Sequence, residues 1–218
     1  MKYIRALDAP HKRASHLSPE HQEMLHALES DWRNMTGTET EFGTGRFDPA
    51  LLDRALPNAF VLHRVAAGVV RTRVAGQRLH DMLRMDPRGM PFTSFFTDAA
   101  RDSALRMAEL TLDTPAIVGL PLVSPRGIGR RNLRAEALLM PMRDAQGDLT
   151  RIMGAIVTSG HIGMKSHRFD IATDQPLRCD PLTLPFPNRR LRRGPHAGMA
   201  DAPTEKAQPG LRLVVNNT

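Results

Sequence analysis

The sequence predicts an α+β domain in which five antiparallel strands carry short helices, with one helix before the domain and a tail after it. Two adjacent β-rich runs lie within residues 58–76, and three more lie within residues 115–159. Two stretches with helical spacing separate these groups of strands, and proline and basic residues become frequent beyond Gly160. Mixed elements of this kind, without a strict strand-helix alternation, are typical of an α+β fold.

An amphipathic helix precedes the strands. Ser18 is a favourable N-cap, and Pro19 suits the first helical position. Apolar side chains then recur at helical spacing, at Met24, Leu25, Leu28, Trp32 and Met35. A helix with one apolar stripe has to dock on another surface. Met24, Leu28 and Trp32 are therefore our candidates for a dimer or partner interface, together with the outer sheet face.

The first two strands are predicted to form a hairpin that turns near Ala67 and Gly68. A short helix over residues 77–85 follows at once, with Leu79, Met82 and Leu83 directed inward. Gly76 lies at the change from strand to helix, where a residue that adopts positive φ is often needed. A longer helix is predicted from a cap at Asp98 to about residue 112.

The last three strands are predicted over residues 115–124, 130–144 and 149–159. The second and third are joined by the short turn sequence "DAQGD", which is typical of a hairpin. Within "RRNLRAEALLMPM", one set of side chains alternates with Arg134, Glu136 and Leu138. This alternation predicts a sheet with one buried face and one face in water.

Three regions follow from these features: residues 1–37, with the N-terminal helix; residues 38–159, with the domain; and residues 160–218, a basic, proline-rich tail. The tail has nine Lys or Arg against five Asp or Glu, and seven of the 17 prolines. Most of the net charge of +7 therefore lies in the tail. Its few apolar side chains predict that it is largely disordered.

Composition excludes several classes of protein. Cys179 is the only cysteine, which rules out an intramolecular disulfide and a cysteine-rich metal site. The N-terminus lacks the apolar core of a signal peptide, and no apolar run approaches the roughly 18 residues of a spanning helix. These observations predict a cytoplasmic protein without a transmembrane segment.

No catalytic motif is recognisable, and we predict neither catalytic nor metal-binding residues. The chain has no phosphate-binding loop, no G-x-S-x-G and no H-E-x-x-H. His63 and His80 do not form a ligand-spaced pair, which disfavours haem. A cysteinyl-flavin is disfavoured because Cys179 lies in the predicted tail. The identity of any cofactor stays unknown.

The order of elements resembles a PAS domain over roughly residues 38–159. The most specific part is "RVAGQRLHDMLRMDPRGMPFTSFF", where a strand ends in a small turn before a short helix and a glycine-containing loop. An asparagine usual near the start of this helix is absent, and Arg73 takes its place. The chain is most similar to alphaproteobacterial single-domain PAS proteins at Arg73, Ala75, Gly76, Gly89, Phe92, Leu138, Leu139, Pro141, Met142 and "RIMGAIV" (151–157).

This resemblance implies a sensory or protein-interaction module without catalytic activity, regulated by a small apolar ligand or by a partner. The partner would be a signalling protein or a second copy of the chain. An internal site is expected between the short helix and the sheet, and Arg73 could bind an anionic group there. The expected ligand-binding residues are Arg73, Leu79, Leu83, Leu139 and Ile156.

Two alternatives remain open at this stage. The run "RRLRR" (189–193) could bind nucleic acid or anionic lipid, which would make the protein an adaptor that works through its tail. A catalytic site assembled from distant residues in the cavity of the PAS-like domain would make it an enzyme.

Overall fold

The computed structural model describes residues 17–36, 55–126 and 132–182. The helices are α1 (Pro19–Thr36), α2 (Gln77–Leu83) and α3 (Arg101–Asp113), with 3-10 turns at Leu56–Asn58 and Phe92–Phe95. The strands are β1 (Ala59–Ala66), β2 (Val69–Ala75), β3 (Ala116–Ser124), β4 (Leu133–Arg143), β5 (Leu149–Ser159), β6 (Asp170–Ile171) and β7 (Arg178–Pro181).

One antiparallel sheet organises the molecule, in the order β2-β1-β5-β4-β3, with β6 and β7 both paired to the free edge of β3. The predicted α+β fold and its five main strands are confirmed. Both predicted hairpins form: Gly68 and Gly147 adopt positive φ at their turns. The third helix begins at Arg101 and not at the predicted cap Asp98, whose carboxylate forms an ion pair with Arg101 at 3.0 Å.

The inner face of the sheet is covered by α2, α3 and the 3-10 turn at Phe92–Phe95. Alternate residues of each strand point to this face, because successive side chains in a strand point to opposite sides. Phe60 lies over Gly154, where a Cβ would stand 2.7 Å from the phenyl ring. The ring of Phe60 in turn packs against Phe92, with their centroids 5.8 Å apart.

The outer face of β3, β4 and β5 is covered by α1, so the predicted wet side of the sheet is wrong for this part. Arg134 and Glu136 are partly exposed, as the alternation predicts, but Leu138, Met140 and Met142 are buried. Leu138 already broke the polar alternation in the sequence. The reason is a second apolar cluster, in which α1 contributes Leu25, Leu28 and Trp32 and the sheet contributes Ile117, Leu138, Met140, Met142, Met153, Ala155 and Val157.

Residues 160–182 belong to the tail that was predicted to be largely disordered, but they are ordered against the domain, and we call them the C-terminal segment. Phe169 is fully buried and its backbone amide donates to the Phe95 carbonyl at 2.9 Å. Strands β6 and β7 then extend the sheet. The segment is polar in composition, but β3 offers it an open edge whose backbone groups need partners. Residues 183–218, including the "RRLRR" run, lie outside the described residues.

Gly76 is needed for close packing and not for positive φ. Its φ is −72°, which any residue can adopt. A Cβ on Gly76 would lie 2.0 Å from the carbonyl oxygen of Leu56 and 2.5 Å from backbone atoms of Pro57. The turn between β2 and α2 therefore packs backbone to backbone against the 3-10 turn before β1.

We expect Gly76→Ala to lower the free energy of unfolding by about 3 kcal/mol, because the new methyl group has to displace rigid backbone. Gly68→Ala is the matched control: Gly68 has φ +76°, and a methyl group added there would meet no atom within 4 Å, so backbone conformation alone costs about 1 kcal/mol. Urea denaturation of both variants measures the difference. Equal losses would contradict the close-packing role of Gly76.

Candidate functional site

Four of the five predicted ligand residues meet on the inner face of the sheet. Leu79 and Leu83 come from α2, Leu139 from β4 and Ile156 from β5. All four are buried in the same apolar cluster. The structure thus brings together residues that are far apart in the sequence, as the predicted site requires. Whether they bind a ligand stays a prediction.

Arg73, the fifth predicted residue, does not join them. Val61 pairs with Val74 and Leu62 with Thr72, so Arg73 is the extra residue of a β-bulge. Its guanidinium lies 3.2 Å from His63 Nδ1, and His63 belongs to the opposite, outer face of the sheet. The expectation of Arg73 inside the internal site is wrong, because Arg73 directly follows the inward-facing Thr72 and its side chain therefore points to the outer face.

Thr72 is a site residue that sequence reasoning missed. It lies on the inner face of β2 and is fully buried, yet its hydroxyl has no hydrogen-bond partner in the described part of the chain. Its backbone groups are satisfied, since its amide donates to Met90 and its carbonyl accepts from Gly89. The pattern "VVRTRVA" offered a signal, because Thr72 shares its face with Val70.

The position of Thr72 follows from the register of the strands. Thr72 pairs with Leu62, and Leu62 pairs with Ile152 on β5. One row further along the same face, Phe60 and Leu139 both lie opposite Gly154. The unpaired hydroxyl therefore lies at the β2 side of the same apolar layer that contains the four leucine and isoleucine side chains.

Arg64, near the end of β1, lies at the margin of the inner apolar layer. Its side chain is 8% exposed, and Nη1 donates to Asp113 Oδ1 at 2.6 Å. Asp113 is the last residue of α3, where a positive charge also interacts favourably with the helix dipole. The Gly68 amide donates to Glu109 Oε1 at 2.5 Å. These contacts fix α3 to the β1–β2 hairpin at the margin of the apolar layer.

A buried hydroxyl-imidazole pair holds the start of the C-terminal segment. Ser124 Oγ lies 2.9 Å from His167 Nδ1, and His167 Nε2 lies 2.8 Å from the Ile162 carbonyl. Because a carbonyl oxygen only accepts, Nε2 carries a proton. A hydroxyl beside an imidazole could act as a nucleophile and base. Ser124 and His167 are 0% and 3% exposed, however, so the pair is closed to substrates in this conformation.

The predicted partner residues of α1 are used within the chain. Leu28 and Trp32 are 1% and 2% exposed, and Met24 is partly buried beside them. The Trp32 indole donates to the Pro141 carbonyl of β4 at 3.2 Å. The stripe docks as predicted, but on the sheet of its own chain. A partner could reach these side chains only after α1 leaves that sheet.

An ionic cluster fastens α1 to the C-terminal segment. Arg178 of β7 makes a bidentate contact with Glu29, at 2.5 and 2.7 Å, and also contacts Asp180. Arg33 contacts the same Glu29 carboxylate at 2.8 Å. The absence of a side chain at Gly119 leaves room for Arg178, because a Cβ on Gly119 would lie 3.0 Å from the Cβ of Arg178. Sequence reasoning missed this cluster since it assigned Arg178 to a disordered tail.

The Glu29 carboxylate is ionised in this cluster. Burial opposes its charge, but the hydrogen bonds and charges of Arg178 and Arg33 outweigh burial and lower the pKa of Glu29 below its ordinary 4.5. The same contacts with Glu29 raise the pKa of Arg178. The ion pairs are thus fully formed at neutral pH.

The other residues considered for cofactor chemistry lie apart from the inner layer. His63 is on the outer face, and His80 Nε2 lies 3.7 Å from Asp86. Cys179 is in β7 opposite Val118, not in a disordered tail, and burial raises the pKa of its thiol. Within the described ranges, no three His, Cys, Asp or Glu side chains converge as a metal site.

A family model described as "PAS domain" matches residues 20–157 of the 218. The chain belongs to the PAS domain family. The match includes α1 as well as the five main strands, and it ends before the C-terminal segment. In general terms the chain is therefore a sensory or signalling module of the PAS type.

Among solved structures, one described as "Flavin Analogue Sheds Light on Light-Oxygen-Voltage Domain Mechanism" is similar to this PAS domain. The likeness covers 54% of this chain and 90% of that chain, at 14% identity and a TM-score of 0.40. A likeness this low supports no inference about ligand or activity. The curated proteins contain no match. No helix in the described ranges is long and apolar enough to span a membrane.

The ionic cluster predicts a pH dependence of stability. Because the pKa of Glu29 is lowered on folding, its ion pairs stabilise the protein above the unfolded-state value near 4.5. This stabilisation is lost as the pH falls through the lower folded-state value. Glu29→Gln cannot titrate, so its unfolding free energy falls less steeply below pH 4.5. At pH 7 the variant is about 1 to 3 kcal/mol less stable than wild type.

Glu23→Gln is the control for this experiment, since Glu23 lies on the same helix, is exposed and has no ion pair with a described residue. Its stability should follow the wild-type curve at each pH in thermal or urea unfolding. A Glu29→Gln curve parallel to wild type below pH 4.5 would refute the role of this carboxylate.

Proposed function

We propose that this PAS domain is a non-catalytic sensory module that binds a small, neutral and mostly apolar ligand between α2 and the inner face of the sheet. The observation that carries the proposal is the buried, unpaired hydroxyl of Thr72. The module would pass its state to a signalling protein or a second copy by contact. We also expect it to act in the cytoplasm.

The Thr72 hydroxyl supports a ligand because burial without a hydrogen bond is costly. An unpaired buried hydroxyl destabilises the folded protein by about 1 to 3 kcal/mol. A strand position on an apolar face would ordinarily hold valine, which has the same shape and no such cost. A ligand with one hydrogen-bonding group would satisfy Thr72 and recover that free energy.

The surrounding side chains define the chemistry of the ligand. Leu79, Leu83, Leu139 and Ile156 supply aliphatic surface, and Phe92 supplies an aromatic ring. The charged group at the margin of this layer is Arg64, whose charge is already paired with Asp113, although its buried Nε has no hydrogen-bond partner among the described residues. A charged ligand would be left without a counterion, so a neutral molecule with a single polar group fits best.

The signal would leave through β4 and β5, which have apolar side chains on both faces. Leu139 faces the proposed ligand, whereas its neighbours Leu138 and Met140 contact the α1 side. A ligand that shifts these strands changes the surface on which α1 docks. Binding would then shift the population between docked and released α1, exposing Leu28 and Trp32 to a partner.

The two alternative functions have less support. The basic run "RRLRR" lies outside the described residues, so an adaptor acting through nucleic acid or lipid stays a prediction from sequence. If the protein were an enzyme, the Ser124–His167 pair would be the strongest candidate for a catalytic pair. Both side chains are buried, so no substrate could reach them in this conformation.

Thr72→Val tests the proposal with nearly unchanged shape. The purified full chain is titrated with phenol and with benzene, a probe pair that differs by one hydroxyl, while the methyl resonances of Leu79, Leu139 and Ile156 are followed by NMR. Wild type should bind phenol about five- to tenfold more tightly than benzene, since one hydrogen bond contributes about 1 kcal/mol. Thr72→Val should lose this preference and, without ligand, unfold at higher urea.

Thr111→Val is the matched control. Thr111 is equally buried, but its hydroxyl donates to the Met107 carbonyl at 2.9 Å. This variant should lose stability and keep the preference for phenol. If wild type shows no methyl shifts with either probe, or if Thr72→Val keeps the preference, binding at Thr72 is refuted.

A further inference from the structure

The outer face of the sheet carries a cluster of basic side chains beside α1. His63 of β1 pairs in register with Arg71 of β2 and with Arg151 of β5, so all three side chains share this face. Arg73 lies two residues after Arg71 on the same face, and its guanidinium lies 3.2 Å from the His63 ring. We call His63, Arg71, Arg73 and Arg151 the basic patch. It extends over three adjacent strands, or about 10 Å.

No described carboxylate forms an ion pair with the arginines of the patch. Its three arginines are exposed, and none of them forms an ion pair within residues 17–36, 55–126 and 132–182. Asp144, an acid near Arg151, already accepts hydrogen bonds from Gln146, Asp148 and Thr150. Burial is the largest cause that lowers the pKa of His63, and the charges of Arg73 and Arg151 lower it further, whereas the charge of Asp144 raises it.

Exposed apolar side chains flank these cations. Val65 and Val74 are 42% and 56% exposed; Val74 pairs with Val61 on the outer face, and Val65 is the unpaired residue between Arg64 and Ala66 at the end of β1. Val61 lies opposite Met153, which packs in the α1 cluster, so this surface continues into the docked helix. A surface that combines guanidinium groups with valine side chains is unlike one built only to hold phosphates.

We propose that the basic patch binds an acidic amphipathic segment of a partner protein. Carboxylates of the segment would contact Arg73 and Arg151, where guanidinium groups can bind them bidentately, and the remaining N–H groups of Arg71, whose Nη1 already donates to the Gly89 carbonyl at 2.8 Å. Its apolar side chains would cover Val65 and Val74. Nucleic acid fits less well, because a phosphate backbone would leave both valines uncovered. This inference goes beyond the proposed ligand site and does not depend on Thr72.

A direct test uses the full chain with Arg189, Arg190, Arg192 and Arg193 changed to Gln, so that the basic run cannot bind the probe. The probe is a synthetic amphipathic peptide of leucine and glutamate, and the control peptide has glutamine in place of glutamate. Only the acidic peptide should shift the amide resonances of His63, Arg73 and Arg151. It should also raise the pKa of the His63 imidazole, because carboxylates offset the neighbouring cations.

In that background, Arg73→Gln combined with Arg151→Gln should weaken acidic-peptide binding roughly five- to thirtyfold. Arg101→Gln combined with Arg106→Gln removes the same charge from exposed positions on α3 and should leave binding unchanged. Equal losses in the two double variants would reduce the effect to net charge and overturn the proposal. The proposal would also be overturned if single-stranded DNA or phosphatidylserine vesicles displaced the peptide from the patch. It would equally be overturned if the protein formed a dimer that the peptide does not dissociate.

Discussion

The strands β4 and β5 have apolar side chains on both faces, and this constraint determines the rest of the structure. A sheet of this kind is stable only when each face is covered. The inner face is covered by α2 and α3, and the outer face by α1, whose Trp32 indole also binds the backbone of β4 at Pro141. The helix that precedes the strands in the sequence is therefore a layer of the domain and not an appendage.

The two faces of β4 and β5 are coupled, because each strand contributes side chains to both apolar layers. In β4, Leu139 faces the inner layer while Leu138 and Met140 face α1; in β5, Ile156 faces the inner layer while Val157 faces α1. Such strands have little freedom to move on one face without affecting the other. Arg178 extends the coupling to β7, because it holds Glu29 across the space that Gly119 leaves open.

Local patterns in the sequence were sufficient to predict the five main strands, the two hairpins and the inward position of Leu79, Leu83, Leu139 and Ile156. They failed where a residue's environment is set by distant parts of the chain. Arg73 points outward because its neighbour Thr72 points inward, but the inward face of β2 is set by its pairing with β1, through Thr72 and Leu62. The order of residues 160–182 depends on the open edge of β3, and a composition rule sees only the polar residues. The sequence did not single out Thr72, because the lack of a hydrogen-bond partner for its hydroxyl depends on the packing of residues that are distant in the sequence.

The docking of α1 also has a consequence for biosynthesis. Trp32 lies 109 residues before Pro141, and Glu29 lies 149 residues before Arg178. At a translation rate of about 5 to 20 residues per second, the apolar stripe leaves the ribosome roughly 7 to 30 seconds before its last contact is made. During that interval the stripe is exposed to other hydrophobic surfaces, including those of neighbouring nascent chains. The apolar stripe of α1 is therefore synthesised well before Arg178, the residue that binds Glu29 and holds this helix in place.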